Sequence, residues 1–527
     1  MEKTESSTTE LTTKPDMKLF YACFVALMTT AFGFILRAVI LPDWGKEFNL
    51  TQTQLGEIAG VGLWPFAISI VLFSLIIDKI GYKTAMIFAF LCHVASAILT
   101  IYATGYWMLY IGTLIVALGN GTVEAVVNPV VATMFPKAKT KWLNILHAAW
   151  AGGLALGGLI VLLMGPGTAW EYKIGLILLP TVTYGIMMFP RRFPVNERIK
   201  AGVSYKEMLS EVGALGALII VSLIIFQLGA VFSWSTTFNV ILILLITVLF
   251  GLYTKSLGQP LFIILLLIMI PLATTELGTD SWITDLMTPA MNQLGMQAGW
   301  VLVYTSLIMF VLRFFAGPIV HKVSPLGLLA ICSAIAAVGL FMLSQSAGIM
   351  ILVAATIYGL GKTFFWPTML GLVAERFPKG GALTLNITGG LGMIAAGVIG
   401  AGILGFIQDK SVDANVQTYD NTNKTNIHST YITENKTSVF GDYQALDQAK
   451  LETATTADKA TVTEIRDSAK KEALRYIVIF PLIMLVSYLL LIFYFRSRGG
   501  YHAVVLKPDI VEPGVVPALH SVNPNKN

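Results

Sequence analysis

The apolar residues of this chain fall in blocks as long as a bilayer is thick. Stretches such as 212–232 and 238–253 contain no charged side chain at all. Roughly 20 apolar residues in a helix cross a hydrocarbon core of about 30 Å. Inside that core no water can satisfy backbone N–H and C=O groups, so each block must form a helix that bonds to itself. The chain is 55% hydrophobic and 12% charged, about half the charged share of a soluble domain. The fold class is therefore an all-α membrane protein. Cys23, Cys92 and Cys332 all lie in apolar blocks, with no spacing that suggests a disulfide framework or a metal site.

Read in order, the blocks predict fourteen helices grouped six, two and six. Residues 1–17 form a polar N-terminal tail and 18–190 a six-helix bundle. A basic loop and an inserted helix pair follow over 191–259. The first five helices of a second bundle occupy 260–408, a polar segment 409–473, its last helix 474–496, and a tail 497–527. The first half of the polar segment shows no periodicity and is expected to be mobile; the second half, richer in Ala, Glu and Lys, is expected to form a surface helix. Lys79, Lys83, Lys137 to Lys141, the 191–206 cluster, Lys255, Lys322, Lys379, Arg496 and Arg498 all fall on one side of this layout. The positive-inside rule then places both termini in the cytoplasm, with the 409–473 segment outside, for an integral protein of the plasma (inner) membrane. A net charge of +5 spread over short loops speaks for topology and not for nucleic acid.

A shift of about 242 residues lays the chain on itself. Leu118-Gly119 meets Leu360-Gly361, Phe135-Pro136-Lys137 meets Phe377-Pro378-Lys379, and Leu143-Asn144-Ile145 meets Leu385-Asn386-Ile387. The two six-helix blocks are parallel repeats, an arrangement that places substrate near the midplane between halves that rock to expose it alternately.

Polar groups inside the blocks mark the candidate site. Asn120, Glu124 and Asn128 recur every four residues and share one helix face. An ionised group at the bilayer centre costs about 2.5–3.5 kcal/mol on insertion scales, so such a stripe faces protein or a water-filled path. As a neutral acid Glu124 can carry a proton and release it when the site opens inward. The plainer alternative is a fixed pair with Arg37 or Lys362 that only holds helices together. Glu276, four residues before Asp280, is the second candidate for proton coupling. Arg37, Asn120, Asn128, Asn144, His147, Trp150, Asp280, Trp282, Lys362, Trp366 and Asn386 are the candidate substrate contacts. The tryptophans suit the C–H faces of sugar rings, though any one of them is more often packing. Arg313 and Glu375 read as a gate or brace near helix ends.

The loop Asp78-Lys79-Ile80-Gly81-Tyr82-Lys83 resembles the major facilitator signature of an acid, a base and a glycine followed by bases. Its task is to pin a helix end and brace one conformation by charge pairs; Arg313, Gly317 and Lys322 look like its weaker copy. Glu124 to Gly153, with Asn128-Pro129, Phe135-Pro136 and Leu143-Asn144, resembles the fucose–proton symporter family, as does Thr274 to Trp282. The resemblance implies a major facilitator fold of two six-helix bundles, here with two extra helices between them. It also implies that Glu124 matches a carboxylate used in proton coupling and sugar binding. In that family this acid is paired with an aspartate in the first helix, where this chain has Ala38 beside Arg37. The expected function is alternating-access import of a monosaccharide or similar polyhydroxylated solute with a proton, or sodium in its place. No cofactor or metal is expected, and no nucleotide loop or nucleophile–base arrangement points to an enzyme. Transport of an anionic solute, drug–proton antiport, and a non-transporting receptor are the rivals.

Overall fold

The computed structural model describes residues 15–506, apart from 51, 166, 347, 439 and 440. The first bundle opens with helix Met17–Glu47, whose first turn is capped by the Asp16 carboxylate accepting from the backbone N–H of Lys18 and Leu19. Trp64–Ile80, Tyr82–Ile101, Tyr106–Met134 and Lys139–Met164 follow. The expected sixth helix is broken in two, Trp170–Gly175 and Leu178–Met188. Between them Ile177 N–H bonds back only three residues, to Ile174, a tightened turn that interrupts the helix.

Twelve helices among the described residues are long and apolar enough to cross a membrane. Two of the fourteen expected spans fall outside that count: the broken 170–188 segment, and Gly299–Arg313, which is apolar but only 15 residues long.

The inserted pair is Tyr205–Val231 and Thr236–Thr254. Only 11% of the most apolar window of the second helix is buried, so this pair presents its side chains outward, as a lipid-facing element must. Its base is knitted to the linker before the second bundle: Ala214 N–H donates to Ser256 O at 2.9 Å, and Gln259 N–H to Glu211 O at 3.0 Å.

The second bundle contains Pro260–Ala273, a π turn at Thr274–Gly278, and Thr279–Gln293. After Gly299–Arg313 come Ala316–Gln345, the broken helix Met350–Lys362 and Phe365–Arg376, and Gly381–Ala395. A second π turn, Ala396–Ala401, meets the first where Gly278 touches Gly400. π turns shift side-chain register locally and recur at functional sites. Ile479–Arg496 completes the bundle.

The first half of the 409–473 segment corrects the expectation of a mobile loop. Helix Gly402–Asn423 runs straight into it, and an antiparallel hairpin pairs Ile432–Ser438 with Gly441–Leu446. Val412, Val416, Ile427, Tyr431, Ile432, Leu446 and Val462 bury one another in a small separate core. The Asp420 carboxylate accepts from the backbone N–H of Ile427 and His428, which fixes the chain reversal. The few apolar residues are far apart in sequence, so no local period reveals them. The expected surface helix of the second half is present as Thr456–Ile477, and it continues toward the last span.

Candidate functional site

Helix Tyr106–Met134 carries the polar stripe into the protein centre, where Asn120, Glu124 and Asn128 are all buried. Asn128 links the stripe to the next helix: its Nδ2 donates to Glu124 Oε2 at 2.5 Å, and its Oδ1 lies 2.9 Å from His147 Nε2. Asn120 turns the other way. Its Oδ1 meets His93 Nε2 at 2.9 Å, and His93 Nδ1 meets the Tyr184 hydroxyl at 3.0 Å. That triad lies within the first bundle, and of the stripe only Glu124 lines the cavity described below, with Asn128 behind it.

The second bundle answers with Glu276, held in the π turn. Arg313 Nη2 donates to Glu276 Oε1 at 3.1 Å, and the Trp366 backbone N–H donates to Oε2 at 3.2 Å. Arg313 also donates through Nε to Thr363 O and through Nη1 to His147 O, each at 2.7 Å. The last of these crosses between the bundles. Glu124, His147, Trp150, Glu276, Leu277, Arg313, Trp366 and Met393 together line one cavity. The space in it open to the centre of a water molecule is about 20 Å³, on the order of one water. In this conformation the site is closed around almost nothing.

Several sequence-based expectations are revised by this geometry. Arg313 is the last residue of helix Gly299–Arg313, as expected, but its side chain is 1% exposed and lies in the cavity wall. The copy relation to the Asp78 loop failed to place it, because its carbonyl and carboxylate partners come from three other helices. Arg37 neither neutralises Glu124 nor enters the cavity. Its Nη2 donates to Ser96 Oγ at 2.8 Å and its Nη1 to Gly33 O at 3.2 Å, inside the first bundle. Lys362 pairs with Asp280 and not with Glu124, and lies over the Tyr358 ring at 5.0 Å. Asp280, a candidate substrate contact, is thus held in an ion pair and is not among the residues lining the cavity. Trp150 and Trp366 are both in the cavity wall. Trp282 sits on helix Thr279–Gln293, and its side chain lies outside the described residues.

Toward the pole that bears the basic loops, the bundles are tied together. Asn144 Nδ2 donates to Thr368 Oγ1 at 3.2 Å, and Asn386 Nδ2 to Ala125 O at 3.0 Å. Glu375 Oε1 accepts from Thr140 Oγ1 at 2.5 Å and from its N–H at 3.3 Å, and Oε2 accepts from the Tyr501 hydroxyl at 2.7 Å. Burial, then the Glu375 charge, holds the Tyr501 phenol above its ordinary pKa, so it stays a donor.

Asp78 forms an ion pair with Arg198 from the basic loop, while Lys79, Gly81 and Lys83 are exposed. Beside it Asn196 Nδ2 donates to the Tyr82 hydroxyl at 3.1 Å, and Lys139 Nζ reaches Glu197 at 2.6 Å and Ala374 O at 3.2 Å. The Asn196-Glu197-Arg198 run therefore ties the Asp78 loop, the start of helix Lys139–Met164 and the second bundle into one knot. Sequence reasoning counted Arg198 only as one charge in a topogenic cluster. Thr140, Thr368, Leu277 and Met393 were also missed, and nothing in their local sequence distinguishes them.

Two helical bundles closed on a buried, charged cavity define the architecture of a two-domain membrane carrier. The sequence model of the Major Facilitator Superfamily matches residues 22–278. The gentisate transporter of Corynebacterium glutamicum is 23% identical over 180 residues, covering 33% of this chain and 40% of that protein. The match therefore spans well under half of the curated relative. Among solved structures, the human organic anion transporter MFSD10 superposes with a TM-score of 0.59 at 11% identity, covering 90% of this chain and 99% of that one. The fucose:proton symporter FucP of E. coli superposes with a TM-score of 0.54 at 15% identity, covering 88% and 98%. Over residues 22–278 the chain matches the major facilitator superfamily, and its fold resembles that of sugar symporters.

Proposed function

We propose that the chain is a proton-coupled importer of a monosaccharide or similar small polyhydroxylated solute, working by alternating access, and not an enzyme. Fourteen spans, both termini on the cytoplasmic side and a plasma (inner) membrane location belong to this reading. The short 170–188 and Gly299–Arg313 segments then complete the two six-helix bundles. The closed basic pole makes the present conformation one that has yet to open inward.

One observation carries the proposal. Glu124 is a buried carboxylate in the cavity wall with no Lys or Arg in ion-pair contact among the described residues; its partner is the neutral Asn128. The nearby cations are otherwise engaged: Arg313 with Glu276, Lys362 with Asp280, Arg37 with Ser96 and Gly33 O. Burying an unpaired carboxylate costs several kcal/mol, so Glu124 is the group best placed to take up and release a proton. The flanking Trp150 and Trp366 supply apolar faces of the kind that stack on sugar rings.

A second reading is transport of an organic anion. An arginine in the cavity wall favours it, and of the similar proteins one is named an organic anion transporter and another a gentisate transporter. Against it, every side-chain nitrogen of Arg313 already donates to protein oxygen, so an anion must displace existing bonds.

The test is ligand-induced thermal stabilisation of the purified protein by a panel of neutral sugars and small organic anions. Stabilisation by a sugar that becomes pH-independent in Glu124→Gln supports the proposal. Stabilisation by anions alone, lost in Arg313→Gln, sinks it in favour of the second reading.

A further inference from the structure

The basic pole holds a cavity separate from the one between the bundles. About 520 Å³ of it is open to solvent, within the range of small-ligand sites. It is framed by the base of the inserted helix pair, the turn between helices Phe365–Arg376 and Gly381–Ala395, the end of the last helix, and the chain after it. Its charged lining is Arg376, Lys379 and Arg498 against the single acid Glu211, to which Gln259 Nε2 donates at 3.4 Å. We propose that this cavity is a binding site for a phosphate-type anion, supplied either by a membrane lipid headgroup or as a free ion.

The guanidinium groups are preorganised for such a guest. Arg376 lies over the Phe495 ring at 5.0 Å and Arg498 over the Tyr494 ring at 4.9 Å. Stacking fixes a guanidinium plane while leaving its N–H edge free, the geometry that suits bidentate contact with phosphate. Arg376 spends one nitrogen on His502 O at 2.5 Å. The neighbouring acid Glu375 does not quench this charge, because it points to Thr140 and Tyr501.

The site has a mechanical consequence. Arg376 holds the 501–504 segment through His502, and Glu375 holds it through Tyr501 and through Glu375 O accepting from Val504 N–H at 2.8 Å. The same Glu375 ties the second bundle to Thr140 of the first. An anion seated on Arg376 and Arg498 therefore strengthens the closed basic pole. The inserted helix pair forms one wall, which gives that pair a role outside the transport path.

The test is thermal unfolding of the purified full-length chain. One arm titrates inorganic phosphate against chloride at equal ionic strength. The other compares nanodiscs of phosphatidylglycerol with nanodiscs of phosphatidylcholine. A rise in melting temperature in the phosphate arm identifies a free ion, and a rise confined to phosphatidylglycerol identifies a headgroup. Either response should weaken about tenfold or more in Arg376→Gln, in keeping with the loss of a charge-assisted contact. Arg376→Gln also loses the His502 bond, so Arg498→Gln and Lys379→Gln are measured alongside. Arg498 and Lys379 are exposed, and their variants should unfold like the parent when no anion is present. No stabilisation in either arm, or a response that survives all three substitutions, overturns the proposal.

Discussion

Asn144 and Asn386 perform the same task in opposite directions. Asn144, on the first bundle, donates to Thr368 of the second; Asn386, on the second, donates to Ala125 O of the first. The shift of about 242 residues that relates the two halves relates these two asparagines. Each also leaves its Oδ1 buried without a partner. A latch that is half satisfied can be released at lower cost, since unpaired oxygens gain partners when water enters. Each bond contributes about 0.5–1.5 kcal/mol net. Asn144→Ala and Asn386→Ala should each raise the population opened at the basic pole by roughly 2- to 10-fold. Spin-label distances between Lys137 and Lys379, each replaced by a labelled cysteine, read this directly; an unchanged distance distribution in the double variant refutes the latch.

Arg313 and Glu276 form the buried pair in the cavity wall. Removing one partner strands a charge in an apolar surrounding, a loss of about 3–5 kcal/mol. Arg313→Gln should therefore lower thermal stability more than the double change with Glu276→Gln. Melting curves of the three variants decide it. Additive losses would mean that the two groups do not act as a pair.

Glu124→Gln keeps the size of the side chain and an oxygen that can accept from Asn128. Its stability should stay within about 1 kcal/mol of the parent. Under the proposed mechanism, uptake driven by a pH gradient should fall to background. Exchange of labelled for unlabelled solute, which needs no net proton movement, should persist. Uptake by this variant that still follows the pH gradient would remove Glu124 from the coupling step.

The helices were legible because hydrocarbon imposes one solution on any long apolar run. The polar stripe was legible because a helix repeats every 3.6 residues, so Glu124 and Asn128 had to share a face. The pairing of Arg313 with Glu276 was not, since it depends on a π turn that changes the register of Glu276, and no residue pattern announces such a turn. Arg37 misled for a related reason. Its depth along the helix could be read from sequence, but its direction around the axis is set by packing, and it turns toward Ser96. The small core around Val416, Tyr431 and Val462 was hidden because its members are scattered through a polar composition.

Gly213 and Gly81 separate backbone strain from steric exclusion. Both have positive φ, +57° and +80°, with extended ψ, a region nearly exclusive to glycine where a side chain costs about 1–3 kcal/mol. Around Gly81 a Cβ would meet nothing within 4 Å, whereas at Gly213 it would sit 2.0 Å from Gly258 N. That neighbour is backbone in the linker 256–259, which is bonded to 211–215 and cannot retreat without breaking those bonds. Gly81→Ala should fold and lose only the strain term. Gly213→Ala should lose more than about 3 kcal/mol and detach the base of the inserted pair. Hydrogen exchange at Ala214 and Gln259, compared between the two variants, tests the distinction. Equal protection in both would show that the linker yields and that strain alone sets the cost.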